Sequence, residues 1–370
     1  MDIKPYSYDD GFYNVGMDIE RYPDALFYLV WSYRGPGKTT GALWYMAYND
    51  HKFIYMKRTN DDVDFMCGKT KAGNIDFDVS PFKTVNRLAG CNVRARSISQ
   101  GVGGFYDTNE NGEAYGAPLG YILSFNKIKS IKGADMSECD YIIFDEFIPQ
   151  VHEQRVSQKE GEALLDFVRT VSRDRIGRGL PPIKVILFAN SEDIACPITS
   201  TLEVIDTMAE LTASGRSHTY IKDRKIMLHR ILKEEAPGMT DTYDLDPLRV
   251  MMKGTQWEKK SYDGDFANND FSCIKKLNMR EMKLYIVIKY KKNNYYIYFR
   301  ERDSIFYMTF SPSDQEPDRI YDLNREVDQK NFWSEDCQSL RCELIEDRMR
   351  FEKYSMYDLI INYKKYFKYS

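Results

Sequence analysis

Residues 32–39, Ser-Tyr-Arg-Gly-Pro-Gly-Lys-Thr, arrange glycines, a lysine and a hydroxyl in the order G-x-x-x-x-G-K-[ST], with Ser32 where the first glycine is usual. Backbone N–H groups of such a loop, with the helix N-terminus behind it, surround β- and γ-phosphate oxygens. Lys38 adds a mobile positive charge, and the Thr39 hydroxyl can bind Mg²⁺. Ser32, Tyr33, Arg34, Gly35, Pro36, Gly37, Lys38, Thr39 and Thr40 are therefore the expected nucleotide contacts. The chemistry requires ATP or a similar triphosphate and Mg²⁺.

A second group of residues completes such a site. Tyr141-Ile142-Ile143-Phe144-Asp145-Glu146 is an apolar run ending in two carboxylates, the pattern of a Walker B strand. Asp145 would hold Mg²⁺ through water, and Glu146 would act as general base on the attacking water. A further apolar run, Ile183 to Phe188, ends in Ala189-Asn190, which makes Asn190 a candidate γ-phosphate sensor. Between these runs, EGEALLDFVRTVSRDR spaces its apolar residues as a helix does, and Arg173-Asp174-Arg175 at its end reads as exposed and basic. Ring NTPases place at this point an arginine that neutralises γ-phosphate charge in the neighbouring subunit, an effect worth about 10³–10⁵ in rate. Arg173 is that candidate.

The elements that must hold these residues follow from the same patterns. Leu26 to Trp31 (LFYLVW) has the composition of a strand buried on both faces of a parallel sheet, and TTGALWYMAYN behind the loop reads as a helix. Glycines at 101, 103 and 104 and the Asn109 to Gly112 turn predict a surface hairpin. With 370 residues the chain is long enough for two domains. Its 43% apolar and 29% charged residues exclude wholesale disorder. No run approaches the 18 or so apolar residues of a membrane span, and no basic start precedes an apolar stretch, so a location in the cytoplasm where the chain is made is expected. Seven cysteines without a C-x-x-C pair encode neither a disulfide framework nor a zinc ribbon. A net charge of −4 argues against coating nucleic acid with the whole surface, so any such contact must be local.

Taken together, RGPGKT, FIYMKR (Phe53 to Arg58), YIIFDEFI, SRDR and FAN resemble the DNA-packaging ATPases of phi29-like tailed phages, over most of residues 20–200. The resemblance implies a P-loop ASCE domain, with a central mostly parallel sheet and an additional catalytic-glutamate strand. It implies an ATP-driven motor that moves double-stranded DNA through a portal, or connector, into a procapsid at the vertex in the host cytoplasm. A homo-oligomeric ring, five-membered, and a structural packaging RNA are further implied partners. Asp145, Glu146 and Arg173 match the family's metal-binding, catalytic and trans-acting residues. Lys132 matches a lysine that reaches across the subunit boundary, both lying 13 positions before the Walker B aspartate. Lys57, with Arg58 beside it, matches a basic residue whose target the sequence does not choose. A terminase large subunit with an active nuclease, or another ring translocase or helicase, stays open as an alternative.

In the second half, Ile198 to Ala213 predicts a helix, and residues 198–235 are expected to link a domain over 1–197 to a smaller α+β domain over 236–370. Lys275 to Arg302 carries nine Lys or Arg against two Glu. Its tyrosines interleave with the cations around an expected Asn293-Asn294 hairpin turn, a composition that suits RNA or DNA contact as well as a lysine-guarded edge hairpin. The resemblance implies a ribonuclease-H-like, vestigial nuclease fold here. The strand Leu284 to Tyr290 offers Lys289 and no acid to hold a metal, so no cleavage is expected.

Overall fold

The computed structural model describes residues 3–5, 11–70, 73–74, 78–128, 135–149, 157–190, 193–239, 246–255, 258, 261, 269 and 271–367. The chain forms two compact units, one of residues 1–202 with 214–268, the other of 203–213 with 269–370.

The larger unit is built on a nine-stranded sheet. In chain order its strands are β1 (Phe27–Ser32), β2 (Phe53–Lys57), β5 (Val93–Ser99), β6 (Val102–Asp107), β7 (Gly120–Ser124), β8 (Tyr141–Asp145), β9 (Lys184–Asn190), β10 (His218–Ile221) and β11 (Ile226–Arg230), while β3 (Lys69–Thr70) and β4 (Gly73–Asn74) form a separate two-stranded ladder. The spatial order is β10-β11-β1-β9-β8-β2-β7-β6-β5. The six strands from β11 to β7 are all parallel, and the antiparallel β10, β6 and β5 close the two edges. Continuous apolar runs explain the centre: all five residues of β8 are buried, and Leu29, Val30 and Trp31 of β1 have no exposed surface. The strand β9 lies between the loop-bearing β1 and the acidic β8, so the carboxyl ends of β1, β9, β8 and β2 stand side by side along one edge. Its helices include α1 (Val15–Arg21), α2 (Lys38–Tyr48), α3 (Asn60–Met66), α4 (Phe82–Ala89), α5 (Glu160–Val171) and α6 (Pro197–Thr201). The glycine-rich hairpin forms, with Gly101 at φ 70° in its turn, but it is not a surface insertion: as β5 and β6 it extends the main sheet, and Gly103, Gly104 and Phe105 are buried.

Two boundary expectations are corrected. Residues 198–235 are not a linker: β10 and β11 complete the large sheet, because residues 226–230 pair with β1 and residues 218–221 pair with β11. The expected helix 198–213 breaks at Glu203, φ 50°, and its second half, α7 (Ile205–Ala213), belongs to the smaller unit. There the Asp206 carboxylate accepts bonds from the Ser355 N–H and hydroxyl, each at 2.8 Å.

The smaller unit holds β12 (Lys283–Tyr290), β13 (Asn293–Arg300), β14 (Ile305–Thr309), β15 (Arg319–Asp322) and β16 (Met349–Phe351), in the order β15-β12-β13-β14-β16. The first three are antiparallel neighbours, while β15 runs parallel to β12 and β16 parallel to β14. The hairpin turn is Lys291-Lys292, with Lys291 at φ 52°, since Asn293 already pairs with Tyr290. Both hairpin strands are central in the sheet, so neither is an edge. Tyr295 and Tyr298 are buried, with Tyr285, Tyr290 and Tyr296 packed against the two apolar clusters that cover the sheet faces. Tyr295 and Tyr298 of this basic segment therefore serve the core, while Tyr285, Tyr290, Tyr296 and Phe299 stay partly exposed.

Candidate functional site

The sequence-predicted loop follows β1. Ser32 is the last residue of that strand and pairs with Asn190 of β9, so it lies in extended backbone and loses nothing by lacking glycine's freedom. The left-handed backbone falls instead at Gly35 and Gly37, each at φ 93°. Gly37 caps α2, and a Cβ there would come within 3.2 Å of Phe12, which is one reason glycine is required. Tyr33 and Arg34 brace the loop from below: the Tyr33 hydroxyl donates to the Ala236 carbonyl at 2.7 Å, and the Arg34 N–H to the Ser261 carbonyl at 3.2 Å. Pro36 accepts from the Tyr13 N–H at 2.8 Å, and Thr40 lies in the first turn of α2.

Lys38 is buried and folds back over the loop. Its Nζ donates to Ser32 Oγ at 2.6 Å, to the Tyr33 carbonyl at 3.2 Å and to Asn190 Oδ1 at 3.3 Å. Burial pulls its pKa down to about 8 against the opposing pull of Asp145 and Glu146. An ammonium held by one hydroxyl and two neutral oxygens, and destabilised by burial, is poised to take an anionic oxygen as partner.

Asp145 ends β8 beside Thr39, whose hydroxyl donates to Asp145 Oδ2 at 3.1 Å. The same oxygen accepts from the Tyr55 hydroxyl at 2.7 Å and lies 3.1 Å from Lys57 Nζ. Burial would raise the Asp145 pKa, but Lys57 and the Tyr55 and Thr39 hydroxyls outweigh it and hold the carboxyl below its ordinary value. Lys57 also donates to Glu146 Oε2 at 3.1 Å, so one ammonium bridges both carboxylates. Burial lowers the Lys57 pKa, yet the two acids lift it to about 12.

Glu146 departs from the strand with φ 60°, a left-handed backbone unusual for a side chain of this type. Arg58 holds the turn: its guanidinium donates to the Glu146 carbonyl at 3.1 Å and to the Phe147 carbonyl. The same group donates to Glu160 Oε1 of α5 at 2.7 Å. The turn thereby leaves the Glu146 carboxylate partly exposed at the end of β8, where strained backbone commonly serves a site.

The structure thus gathers Ser32, Lys38, Thr39, Asp145, Glu146 and Asn190, and adds Tyr55 and Glu160, which the sequence reading passed over. Tyr55 had a signal: it stands two residues before Lys57 on one strand, hence on the same face. Lys57 and Arg58 acquire definite targets. Arg173 follows α5 and is exposed, outside this cluster. Arg175, expected to be exposed beside it, is instead 1% exposed and structural. It donates to the Ser137 and Cys139 carbonyls at 2.7 Å each, to the Pro181 carbonyl at 2.9 Å and to Asp140 at 2.7 Å. The tight turn after α5, with Asp174 at φ 62°, rotates alternate residues of the basic run inward. Lys132 lies outside the described residues.

The donor set fits a magnesium nucleotide: a hydroxyl and a carboxylate adjoin at the metal position, and a lysine and a glycine-turned helix N-terminus adjoin at the phosphate position.

No family model and no curated protein matches the sequence. Two solved structures share its fold. The bacteriophage Phi-29 viral genome packaging motor assembly is 15% identical, over 96% of this chain and 99% of that one, with a TM-score of 0.64. The Phi-28 gp11 DNA packaging motor is 16% identical, over 98% and 99%, with a TM-score of 0.57. The likeness spans both units. No helix among the described residues is long and apolar enough to cross a membrane.

Proposed function

We propose that this chain is an ATP-driven motor that translocates double-stranded DNA through the portal of a phage procapsid, working as a ring of copies docked at the vertex in the host cytoplasm. The observation that carries the reading is the convergence of Lys38, Thr39, Asp145, Glu146 and Asn190 at the carboxyl edge of one parallel sheet. That it occurs in a chain with the fold of two phage packaging motors supplies the biological setting.

In this mechanism Thr39 and Asp145 would hold Mg²⁺, and Lys38 would leave Ser32 and Asn190 for a γ-phosphate oxygen. Bound Mg²⁺ supplies charge neutralisation at the β- and γ-oxygens. Glu146, left partly exposed by its left-handed turn, accepts the proton of the attacking water, and Asn190 orients the γ-phosphate. Lys57 must release both carboxylates before the site is competent, so the bridged form is a resting arrangement. The exposed Arg173 is available to a neighbouring copy, which supports a role in trans, and Lys132 is assigned the second trans contact by resemblance alone.

The smaller unit docks the motor to the vertex, with a packaging RNA as a candidate partner, and performs no DNA cleavage. This reading is supported by Lys289 in place of an acid on β12. It is also supported by Asp336, whose carboxylate is taken up by Arg319 at 2.7 Å and Tyr321 at 2.6 Å.

The test is ATP-dependent protection of DNA from nuclease in the presence of portal-bearing procapsids. Glu146→Gln should retain ATP binding and lose both turnover and protection. Turnover without DNA protection, or cleavage of the DNA by the purified chain, would refute the assignment.

A further inference from the structure

Beyond the phosphate-loop edge, the described residues contain a second cluster with the chemistry of a metal site. Asp18, His218 and His229 each offer one ligand atom, and these atoms lie within 4.8 Å of one another. Two of the chain's 4 histidines thus meet in one place. Sheet register brings them together: His218 of β10 stands directly opposite His229 of β11, so both imidazoles leave the same face. Their rings stack at a centroid distance of 3.7 Å.

Helix α1 lays Asp18 along one side of the pair. Its carboxylate lies 3.4 Å from His218 Nε2 and 2.7 Å from His229 Nδ1. On the opposite side of the same rings, Glu235 lies 3.6 Å from His218 Nδ1 and 3.3 Å from His229 Nε2. The Leu232 N–H fixes Glu235 from behind at 2.9 Å.

We propose that Asp18, His218 Nε2 and His229 Nδ1 bind one zinc ion, with Glu235 accepting the outward N–H of His229 and the Ser217 hydroxyl bonded to the outward Nδ1 of His218 at 2.5 Å. Ligands about 2.0–2.1 Å from a tetrahedral zinc are separated by about 3.3 Å, and the two Asp18-to-imidazole spacings lie on either side of that value. Two nitrogens and one carboxylate favour zinc over magnesium or calcium, which require oxygen. A carboxylate behind a ligating histidine is the arrangement that fixes its tautomer and raises its basicity.

The ion has a place in the architecture. Asp18 and His229 are buried, while Glu235 and His218 lie nearer solvent and provide the way in. Tyr13 donates through its hydroxyl to Asp18 Oδ2 at 2.8 Å and through its N–H to the Pro36 carbonyl of the phosphate loop at 2.8 Å. Zinc would therefore fasten α1 to the β10–β11 edge and steady the loop through one residue. Zinc binding here does not rest on the motor reading.

The test uses the full-length chain, freed of metal with chelator and titrated with Co²⁺ and then Zn²⁺ in excess Mg²⁺. The expected result is one Co²⁺ per chain, with visible absorption lacking a thiolate charge-transfer band and displaced by an equivalent of Zn²⁺. His218→Gln and His229→Gln should each weaken binding by more than about 100-fold, and Glu235→Gln by about 10- to 100-fold. The melting temperature of the unaltered chain should rise on adding Zn²⁺, and this readout needs no variant to fold. Absence of stoichiometric binding, a thiolate band, undiminished binding by the histidine variants, or a zinc-independent melting temperature would each overturn the proposal.

Discussion

Lys57→Met keeps the length and apolar stem of the side chain and removes the charge that bridges the two site carboxylates. The Lys57 ammonium stands 3.1 Å from Asp145 Oδ2, and the two side chains are only 18% and 11% exposed. Removing one partner from a buried pair leaves the other charged and unpaired, at a cost of about 3–5 kcal/mol. Glu146 is 39% exposed, so solvent screens its share and it adds little. The Tyr55 and Thr39 hydroxyls still serve Asp145 in the variant, which places the expected loss at the lower end, about 3 kcal/mol. For a unit of this size that is a fall in melting temperature of roughly 6–12 °C in nucleotide-free buffer. Magnesium nucleotide should act in the opposite sense. A divalent cation can take over the charge balance that Lys57 supplied, so saturating Mg·ATP should raise the melting temperature of the variant more than that of the parent. Adding Asp145→Asn to Lys57→Met should recover most of the loss, because no unpaired charge then remains. Calorimetry of the four chains of this double-mutant cycle gives the coupling. A nucleotide-free variant melting within about 2 °C of the parent, or a coupling below about 0.5 kcal/mol, would refute the bridge as a stabilising feature of the resting site.

Three further outcomes are expected. Chains carrying Arg173→Ala and chains carrying Glu146→Gln should each hydrolyse ATP at least about 100-fold more slowly than the parent, yet mixtures should regain turnover where an intact arginine meets an intact glutamate; mixtures as inactive as their components would place Arg173 outside the reaction. Arg175→Met should destabilise the larger unit by about 3–5 kcal/mol in chemical denaturation, since Asp140 and three carbonyls lose a buried donor, and a loss under about 1 kcal/mol would contradict its structural role. In the smaller unit, burial pushes the Glu352 pKa up, but bonds from the Thr309 hydroxyl and the Phe310 N–H outweigh it and hold the carboxyl below its ordinary value. A lowered folded-state value contributes stability that is present above the unfolded value, about 4.3, and disappears as pH falls through the folded one. Glu352→Gln should therefore flatten the acid limb of the stability curve below about pH 4; identical acid limbs in urea titrations would exclude this contribution.

What the chain encodes locally was legible without coordinates. The glycine-rich loop is one contiguous stretch, and β1, β8 and β9 are apolar runs long enough to identify themselves; each carries its candidate residue at a fixed offset, at Ser32, Asp145 and Asn190. Tertiary structure alone decided the partners. Sheet order, in which β9 enters between β1 and β8 and β2 arrives on the far side, put Lys57 on two carboxylates 88 and 89 positions away, and Tyr55 on one of them 90 positions away. The inward rotation of Arg175 depended on a left-handed residue that charge patterning does not reveal. The basic and aromatic hairpin looked the same in sequence whether its tyrosines faced nucleic acid or a core, until strands on both sides of it settled which faces were covered. The reason is common to all three. Hydrogen-bonded turns and strand periodicity are set by neighbours in sequence, whereas the burial and electrostatic environment of a side chain is set by segments that meet only once the sheet has closed.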